Sequence, residues 1–273
     1  MRQRDTPFIM NKSSIINKIL ANKTQPNLDF RLKEKAAEFT ERLFYTLFDV
    51  KTPVAENLEI LEKDFDTLVN LACWKISKPC SKLWENYVEK FPELLEKLNR
   101  DAQAFINSDP AASCIEEVYL AYPGFFAIAI YRFAHELHTY GFPLVPRLMT
   151  EYAHSKTGVD IHPGAQIGNS FFIDHGTGVV IGEASIIKDY VRIYQGVTLG
   201  GVYVALNLRK TKRHPTIENN VTIYANATIL GGQTTIGENS IIGGNTFITE
   251  SIPPNSKVYA SLEVTIKSKT DVS

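Results

Sequence analysis

The sequence predicts an α+β chain in two parts, a helical N-terminal half followed by a left-handed parallel β-helix that carries one protruding loop. Three observations carry this reading. Apolar residues recur at helical spacing from about Asn27 to Ser155. After Gly158 the texture changes, with Lys and Glu thinning out and Gly, Ile, Val and Thr taking over. From there a single aliphatic residue returns at every sixth position with few interruptions. The expected boundaries are residues 1–156 for the helical part, 157–258 for the β-helix with its loop at 200–216, and 259–273 for a tail.

In the helical part the stripes Leu32, Ala36, Phe39, Leu43, Leu47 and Leu58, Leu61, Phe65, Leu68 mark two amphipathic helices. Pro53, Pro79, Pro92, Pro110 and Pro123 fall between segments or at their starts, where a fixed φ and a missing N–H are tolerated. Pro123-Gly124 opens a helix that Gly141 closes. Its continuous apolar run from Phe125 to Ile130 predicts burial against other helices or another subunit.

In the second part the repeat runs Ile161, Ile167, Ile173, then after two extra residues Ile181, Ile187, Ile193, Leu199. It resumes at Ile217, Ile223, Ile229 and, after one extra residue, Ile236, Ile242, Ile248, thirteen positions in all. Each six-residue unit forms one flat side of a triangular coil with its aliphatic residue inward. Gly164, Gly168, Gly182, Gly237 and Gly243 are expected at corners that need positive φ. Ordinary hairpins would instead alternate with period two between Asn-Gly or Asp-Gly turns.

The whole chain has 29 Lys plus Arg against 30 Asp plus Glu, so no overall field draws it to nucleic acid or a membrane surface. Cys73, Cys80 and Cys114 are an odd number without a CxxC pair and read as reduced thiols. Residues 1–20 lack the continuous apolar core of a signal peptide, and no uncharged apolar run approaches a membrane span. A soluble, cytoplasmic protein acting on small molecules is expected.

Function in a repeat protein tends to sit where the repeat breaks. The first break is His175-Gly176-Thr177-Gly178, after Ile173; the second is the polar segment from Gly200 to Thr216, with Arg209, Lys210, Lys212, Arg213 and His214. Three of the six histidines, His162, His175 and His214, lie in or beside these features. A neutral imidazole suits deprotonation of a hydroxyl, and a carboxylate on its far nitrogen fixes the tautomer. Asp160 precedes His175 by fifteen residues, close to one coil, so the two are candidate neighbours on the wall. His135 and His138, on the apolar helix, read as packing or hydrogen-bonding residues. Zinc held by His162, His175 and His214 is the rival use, but the His-x4-His pair of metal-binding β-helices is absent, so no metal is expected.

Several strings together resemble the serine acetyltransferases. They are Val159-Asp160-Ile161-His162-Pro163, the run from Ile173-Asp174-His175 to Gly182-Glu183, Gly196-Val197-Thr198-Leu199-Gly200-Gly201, and Arg213-His214-Pro215. Asp109-Pro110-Ala111 and Tyr122-Pro123-Gly124-Phe125 extend the likeness upstream, to roughly residues 100–258. The resemblance implies acetyl-CoA as co-substrate, L-serine as acceptor, and the first step of cysteine synthesis. It implies His175 as general base oriented by Asp160, Asp109 and Asp174 on the ammonium of serine, and Arg213 and His214 on its carboxylate. Backbone around Gly200, Gly201, Ala225 and Gly244 is implied to receive the pantetheine arm. It further implies a homotrimer with sites between neighbouring β-helices, and two trimers joined through the N-terminal helices.

Departures from the family pattern bear on substrate and partner. The loop from Leu199 to Arg213 is about four residues longer than in the familiar enzymes, with Val202-Tyr203-Val204-Ala205-Leu206-Asn207-Leu208 in place of a Gly-rich run. This keeps homoserine, phosphoserine or a sugar hydroxyl as alternative acceptors. The tail has Ala260-Ser261-Leu262-Glu263 and ends in Ser273 rather than isoleucine, which speaks against docking into the sulfhydrylase partner. A non-catalytic trimeric scaffold is the reading from another class, and it leaves Asp160, His175, Arg213 and His214 unexplained.

Overall fold

Most of each N-terminal stripe is buried, Leu32, Ala36, Phe39 and Leu43 on helix α2 (Arg31–Phe48) and Leu61, Phe65 and Leu68 on α3 (Val54–Ala72), while Leu47 and Leu58 are half-buried. The computed structural model describes residues 12–23, 29–73, 82–202 and 211–261; Cys80, residues 203–210 with Arg209 and Lys210, and the tail from 262 to Ser273 lie outside the described residues. Helix α1 (Lys12–Asn22) buries nothing, and short helices α4 (Leu83–Val88) and α6 (Ile115–Ala121) join the longer ones. Helices α5 (Phe91–Ser108), α7 (Pro123–Thr139) and α8 (Val145–Thr157) complete this half. The apolar run of α7 is buried except for the half-buried Phe126, with Phe125, Ile128, Ile130 and Phe133 fully enclosed. Among the described residues no helix is long and apolar enough to cross a membrane.

From Asp160 onward the chain winds as a left-handed parallel β-helix of short strands, numbered β1 (Asp160–Ile161) to β14 (Lys257–Val258) and arranged in three parallel sheets. One sheet contains β1, β4 (Val180–Ile181), β7 (Thr198–Gly200), β10 (Thr228–Leu230) and β13 (Phe247–Ile248). All thirteen aliphatic positions of the repeat are buried. A regular coil advances eighteen residues, as from Val180 to Thr198. The first takes twenty, from Asp160 to Val180, because of the break at His175, and the third takes thirty, from Thr198 to Thr228, because of the loop. A second inward column lies two residues before the first, filled by small or polar side chains such as Ala165, Ser185, Ala227 and Ser240 as well as Phe171 and Val191.

The corners differ from expectation. Gly164, Gly168, Gly182, Gly237 and Gly243 do not adopt positive φ; the left-handed positions belong to residues such as Ser170, Tyr190, Asn220, Asn226, Asn239, Asn245 and Asn255. Asn tolerates this conformation, and here the side chains also bond between coils: Asn220 Nδ2 donates to Asn239 Oδ1 at 2.9 Å and Asn239 Nδ2 to Asn255 Oδ1 at 3.2 Å. The glycines are needed for space instead. A Cβ at Gly168 would lie 2.4 Å from Asp189 Oδ1, and one at Gly237 would lie 2.3 Å from the Pro254 nitrogen.

An open end of a β-helix exposes a rim of unpaired backbone groups. The helical half covers the rim of the first coil. Tyr131 Oη donates to the Ala165 carbonyl at 2.6 Å, His135 Nδ1 to Pro163 at 2.7 Å and Lys97 Nζ to Ile167 at 3.2 Å. Arg132 donates to the carbonyls of Ile167 and Gly168 and, through Nε and Nη2, to Asp101 at 2.5 and 2.8 Å. Asp101 in turn accepts the Phe171 amide at 2.9 Å.

Candidate active site

The first break leaves the wall after Ile173, the last residue of β3 (Phe172–Ile173). It meets the start of α7: a Cβ on Gly124 would fall 2.1 Å from the Ile173 carbonyl oxygen, so only glycine lets the helix approach so closely. The end of α5 contributes Asp109 to the same place. Its Oδ2 accepts from Tyr122 Oη at 2.6 Å and its Oδ1 from the Ala111 amide at 2.8 Å. These two bonds, with the His175 ring adding its charge, hold the Asp109 carboxyl below its ordinary value. Asp109 in turn pushes the Tyr122 hydroxyl well up, keeping it a donor.

His175 sits at φ +56°, a left-handed backbone that turns its ring outward. Its amide donates to Asp174 Oδ1 at 2.8 Å, and its Nδ1 stands 3.5 Å from that oxygen, too long for a firm hydrogen bond. The imidazole is 68% exposed and thus open to a reactant. One edge of the β-helix therefore gathers Asp109, Tyr122, Asp174 and His175. Further along it, the bare backbone of Gly244 stacks on Ala225, a Cβ at Gly244 lying 3.0 Å from the Ala225 carbonyl oxygen.

Arg213 and His214 stand at the opposite corner, where the long loop rejoins the wall. The His214 ring lies on Gly182, where a Cβ would come within 2.1 Å of it, and its Nδ1 accepts the Ala184 amide at 3.0 Å. With Nδ1 used as acceptor, the neutral ring carries its hydrogen on Nε2. Burial, then the neighbouring Arg213 charge, push the His214 pKa down to about 4. The Arg213 guanidinium pairs with the Glu183 carboxylate. Gly200 and Gly201 adjoin this corner, the Gly231 amide donating to the Gly200 carbonyl at 3.1 Å.

One side of the triangle, β4 with its flanks, separates the two edges. About six extended residues span ~20 Å, several times the length of a serine molecule. The single chain thus does not bring Arg213 and His214 to His175. Asp160 receives Arg147 Nη1 at 3.0 Å, and the break stacks over the start of β1, where a Cβ at Gly176 would lie 2.8 Å from Val159 Cγ2. His162 is half-buried, its Nδ1 accepting the Gly164 amide at 3.0 Å. His154, which the sequence leaves unpartnered, stands 3.3 Å from Glu151. Among the described residues Glu151, His154 and Asp160 have ligand atoms within 4.8 Å of one another, and Arg147 already pairs with both carboxylates. Tyr122 and Glu183 are site residues to which sequence reasoning gives no role, although both stand inside the strings quoted above.

Titration of His214 has a consequence for stability. Between pH 6.5 and about 4 the unfolded chain binds a proton that the folded His214 refuses, so stability falls as pH drops through this window. Burial lowers the pKa of His135 and His162 as well, and both add the same sign. A His214→Asn protein, whose Oδ1 can accept the Ala184 amide, is expected to lose less Tm between pH 6.5 and 4 than the parent. Parallel Tm-pH curves for the two proteins would contradict the assignment.

No protein-family model matches the chain. The serine acetyltransferase of Helicobacter pylori (strain ATCC 700392 / 26695) is 48% identical over 126 residues, covering 46% of this chain and 71% of its own length. The chain belongs to the serine acetyltransferase family. A plasmid-borne family member of Synechococcus elongatus is 48% identical over 154 residues, 55% of this chain and 48% of the relative, so the match spans about half that relative's length. Among solved structures, serine acetyltransferase isoform 3 of Entamoeba histolytica in complex with cysteine has TM-score 0.73 at 36% identity, covering 85% of this chain and 84% of its own. A Brucella abortus family member in complex with coenzyme A has TM-score 0.62 at 28% identity, covering 92% and 87%.

Proposed function

We propose that the chain is a serine O-acetyltransferase that moves the acetyl group of acetyl-CoA to the hydroxyl of L-serine, giving O-acetylserine and CoA. The observation that carries this reading is the exposed His175 imidazole set between two carboxylates, Asp109 and Asp174. The neutral His214 beside Arg213 complements it on the opposite edge. Together they match an amino acid with a hydroxyl: carboxylates for its ammonium, a guanidinium and an Nε2–H for its carboxylate, and a base for its oxygen. His175 takes the hydroxyl proton at a ring nitrogen as the oxygen bonds to the thioester carbonyl carbon. As the carbon–sulfur bond breaks, the departing CoA sulfur takes that proton from the imidazolium.

Because the two edges stand a full side apart, the site is completed by a neighbouring chain in a trimer, each chain lending one edge to each of two sites. Gly200 and Gly201 on one edge and Ala225 and Gly244 on the other then line the pantetheine path. Asp160, held by Arg147, orients the imidazole in that assembly. Two trimers join through the N-terminal helices; the exposed Ile15, Ile16, Ile19 and Leu20 of α1 support that contact. Coenzyme A and cysteine in the relatives' structures support acetyl-CoA and a three-carbon amino acid as ligands. The odd number of cysteines supports a reducing, cytoplasmic setting.

Release of free CoA from acetyl-CoA, followed with serine, homoserine, phosphoserine and a sugar as acceptors, tests the reading. Serine should give the highest kcat/KM; release no faster with serine than without an acceptor would overturn it.

A further inference from the structure

We propose that Tyr122 is a positioning residue for Asp109, holding its carboxylate where the ammonium of the acceptor binds; this rests on the serine-acetylating function proposed above. Asp109 ends α5, its extended backbone (φ −106°, ψ 110°) turning the chain away while its amide still donates to the Phe105 carbonyl at 2.9 Å. Each oxygen of its side chain is tied. Oδ1 accepts the Ala111 amide at 2.8 Å, a bond local to the turn, and Oδ2 accepts the Tyr122 hydroxyl at 2.6 Å, a bond to another element.

Both ends of the tyrosine side chain are matched by α5. Phe105 and Asp109 are four residues apart and so share one face of the helix. The Tyr122 ring meets the buried Phe105 edge-on, with centroids 5.5 Å apart at 85°, and its hydroxyl reaches Asp109. From its own side Tyr122 is fixed by Pro123, which restricts the preceding backbone to the extended φ −84°, ψ 111° found there. The helix that Tyr122 opens presses through Gly124 on Ile173, the residue before Asp174 and His175. The Tyr122 bond thereby sets Asp109 in register with the base. With one hydrogen bond on each oxygen, the carboxylate keeps acceptor capacity for an ammonium. A carboxylate fixed before serine arrives loses less freedom on binding, so removal of the hydroxyl should weaken serine binding and leave the chemical step alone. If Tyr122 instead touched the acceptor itself, its loss would add to the loss of Asp109.

Steady-state kinetics of Tyr122→Phe, Asp109→Ala and the double variant separate these cases. Phenylalanine keeps the ring on Phe105 and removes only the hydroxyl. For Tyr122→Phe the serine KM should rise about tenfold, with kcat within about twofold of the parent and the KM for acetyl-CoA unmoved. Asp109→Ala should lower kcat/KM for serine at least as far, and adding Tyr122→Phe to it should change nothing more. An unchanged serine KM in Tyr122→Phe beside a defective Asp109→Ala overturns the positioning role alone, even if the unfolding midpoint in urea falls. A double variant worse than Asp109→Ala by the loss that Tyr122→Phe causes in the parent also overturns it, because the effect of Tyr122 then does not pass through Asp109. If Asp109→Ala leaves kcat/KM for serine unchanged, the role of Asp109 fails and the positioning role with it, while serine-dependent release of CoA by the parent still stands.

Discussion

Replacement of His175 by alanine is expected to lower kcat for serine acetylation by about two to four orders of magnitude, the usual contribution of a positioned general base. The KM for acetyl-CoA should stay near that of the parent, because in the proposed site the pantetheine arm lies along the backbone of Gly200, Gly201, Ala225 and Gly244. The side chain is 68% exposed, so its removal opens no cavity in the core. A His175→Asn protein sharpens the test, since asparagine tolerates the φ of +56° while offering no base. It should be as inactive as the alanine variant and more stable. Full activity in either protein would remove His175 from the chemistry.

The largest expected loss of stability comes from Asp101→Ala. Asp101 and Arg132 are 0% and 2% exposed, and removing one partner of such a pair leaves an uncompensated buried charge, at a cost of roughly 3–5 kcal/mol. Against a typical total of about 5–15 kcal/mol that is a large fraction, and urea unfolding should register it directly. Replacing both residues by apolar ones should not restore stability. Arg132 also serves the Gly168 carbonyl, sharing that of Ile167 with Lys97, and Asp101 serves the Phe171 amide, so the swap strands two backbone groups on the rim of the first coil. An unfolding midpoint unchanged in Asp101→Ala would show that the helical half does not anchor the β-helix through this pair.

Those two residues also mark where the sequence stops being legible. The thirteen aliphatic positions announce themselves because every side of every coil uses the same inward slot, and hydropathy reports that slot directly. The second inward column does not, because Ser185, Ser240 and Ala165 fill it with polar or small groups. Lys97, Asp101 and Arg132 look like the solvated face of amphipathic helices; only the fold places beneath them a rim of carbonyls to be satisfied. Corner glycines suggested positive φ, yet the asparagines supply it and the glycines make room, a distinction that depends on the coil stacked above.

The candidate site divides in the same way. His175 is conspicuous as a break in a period, and Asp109 only through the resemblance. The clustering of Asp109, Tyr122, Asp174 and His175 depends on Gly124 letting α7 press against Ile173, a contact across about fifty residues of chain. Fifteen residues from Asp160 to His175 suggested adjacency along the wall. The break does stack there, Gly176 against Val159, while the Asp160 carboxylate is held by Arg147. Arg213 and His214 are legible as polar residues ending a loop, while their separation from His175 is a property of the triangle.

That separation makes the division of each site between two chains the central claim, and mixing two inactive proteins tests it most directly. His175→Ala keeps the Arg213 edge and Arg213→Ala keeps the His175 edge. Co-expressed in equal amounts in ring-closed trimers, they should regain about one quarter of the parent activity, the share of interfaces that pair two intact edges. Activity no greater than the sum of the two variants alone would contradict a site shared between neighbouring chains.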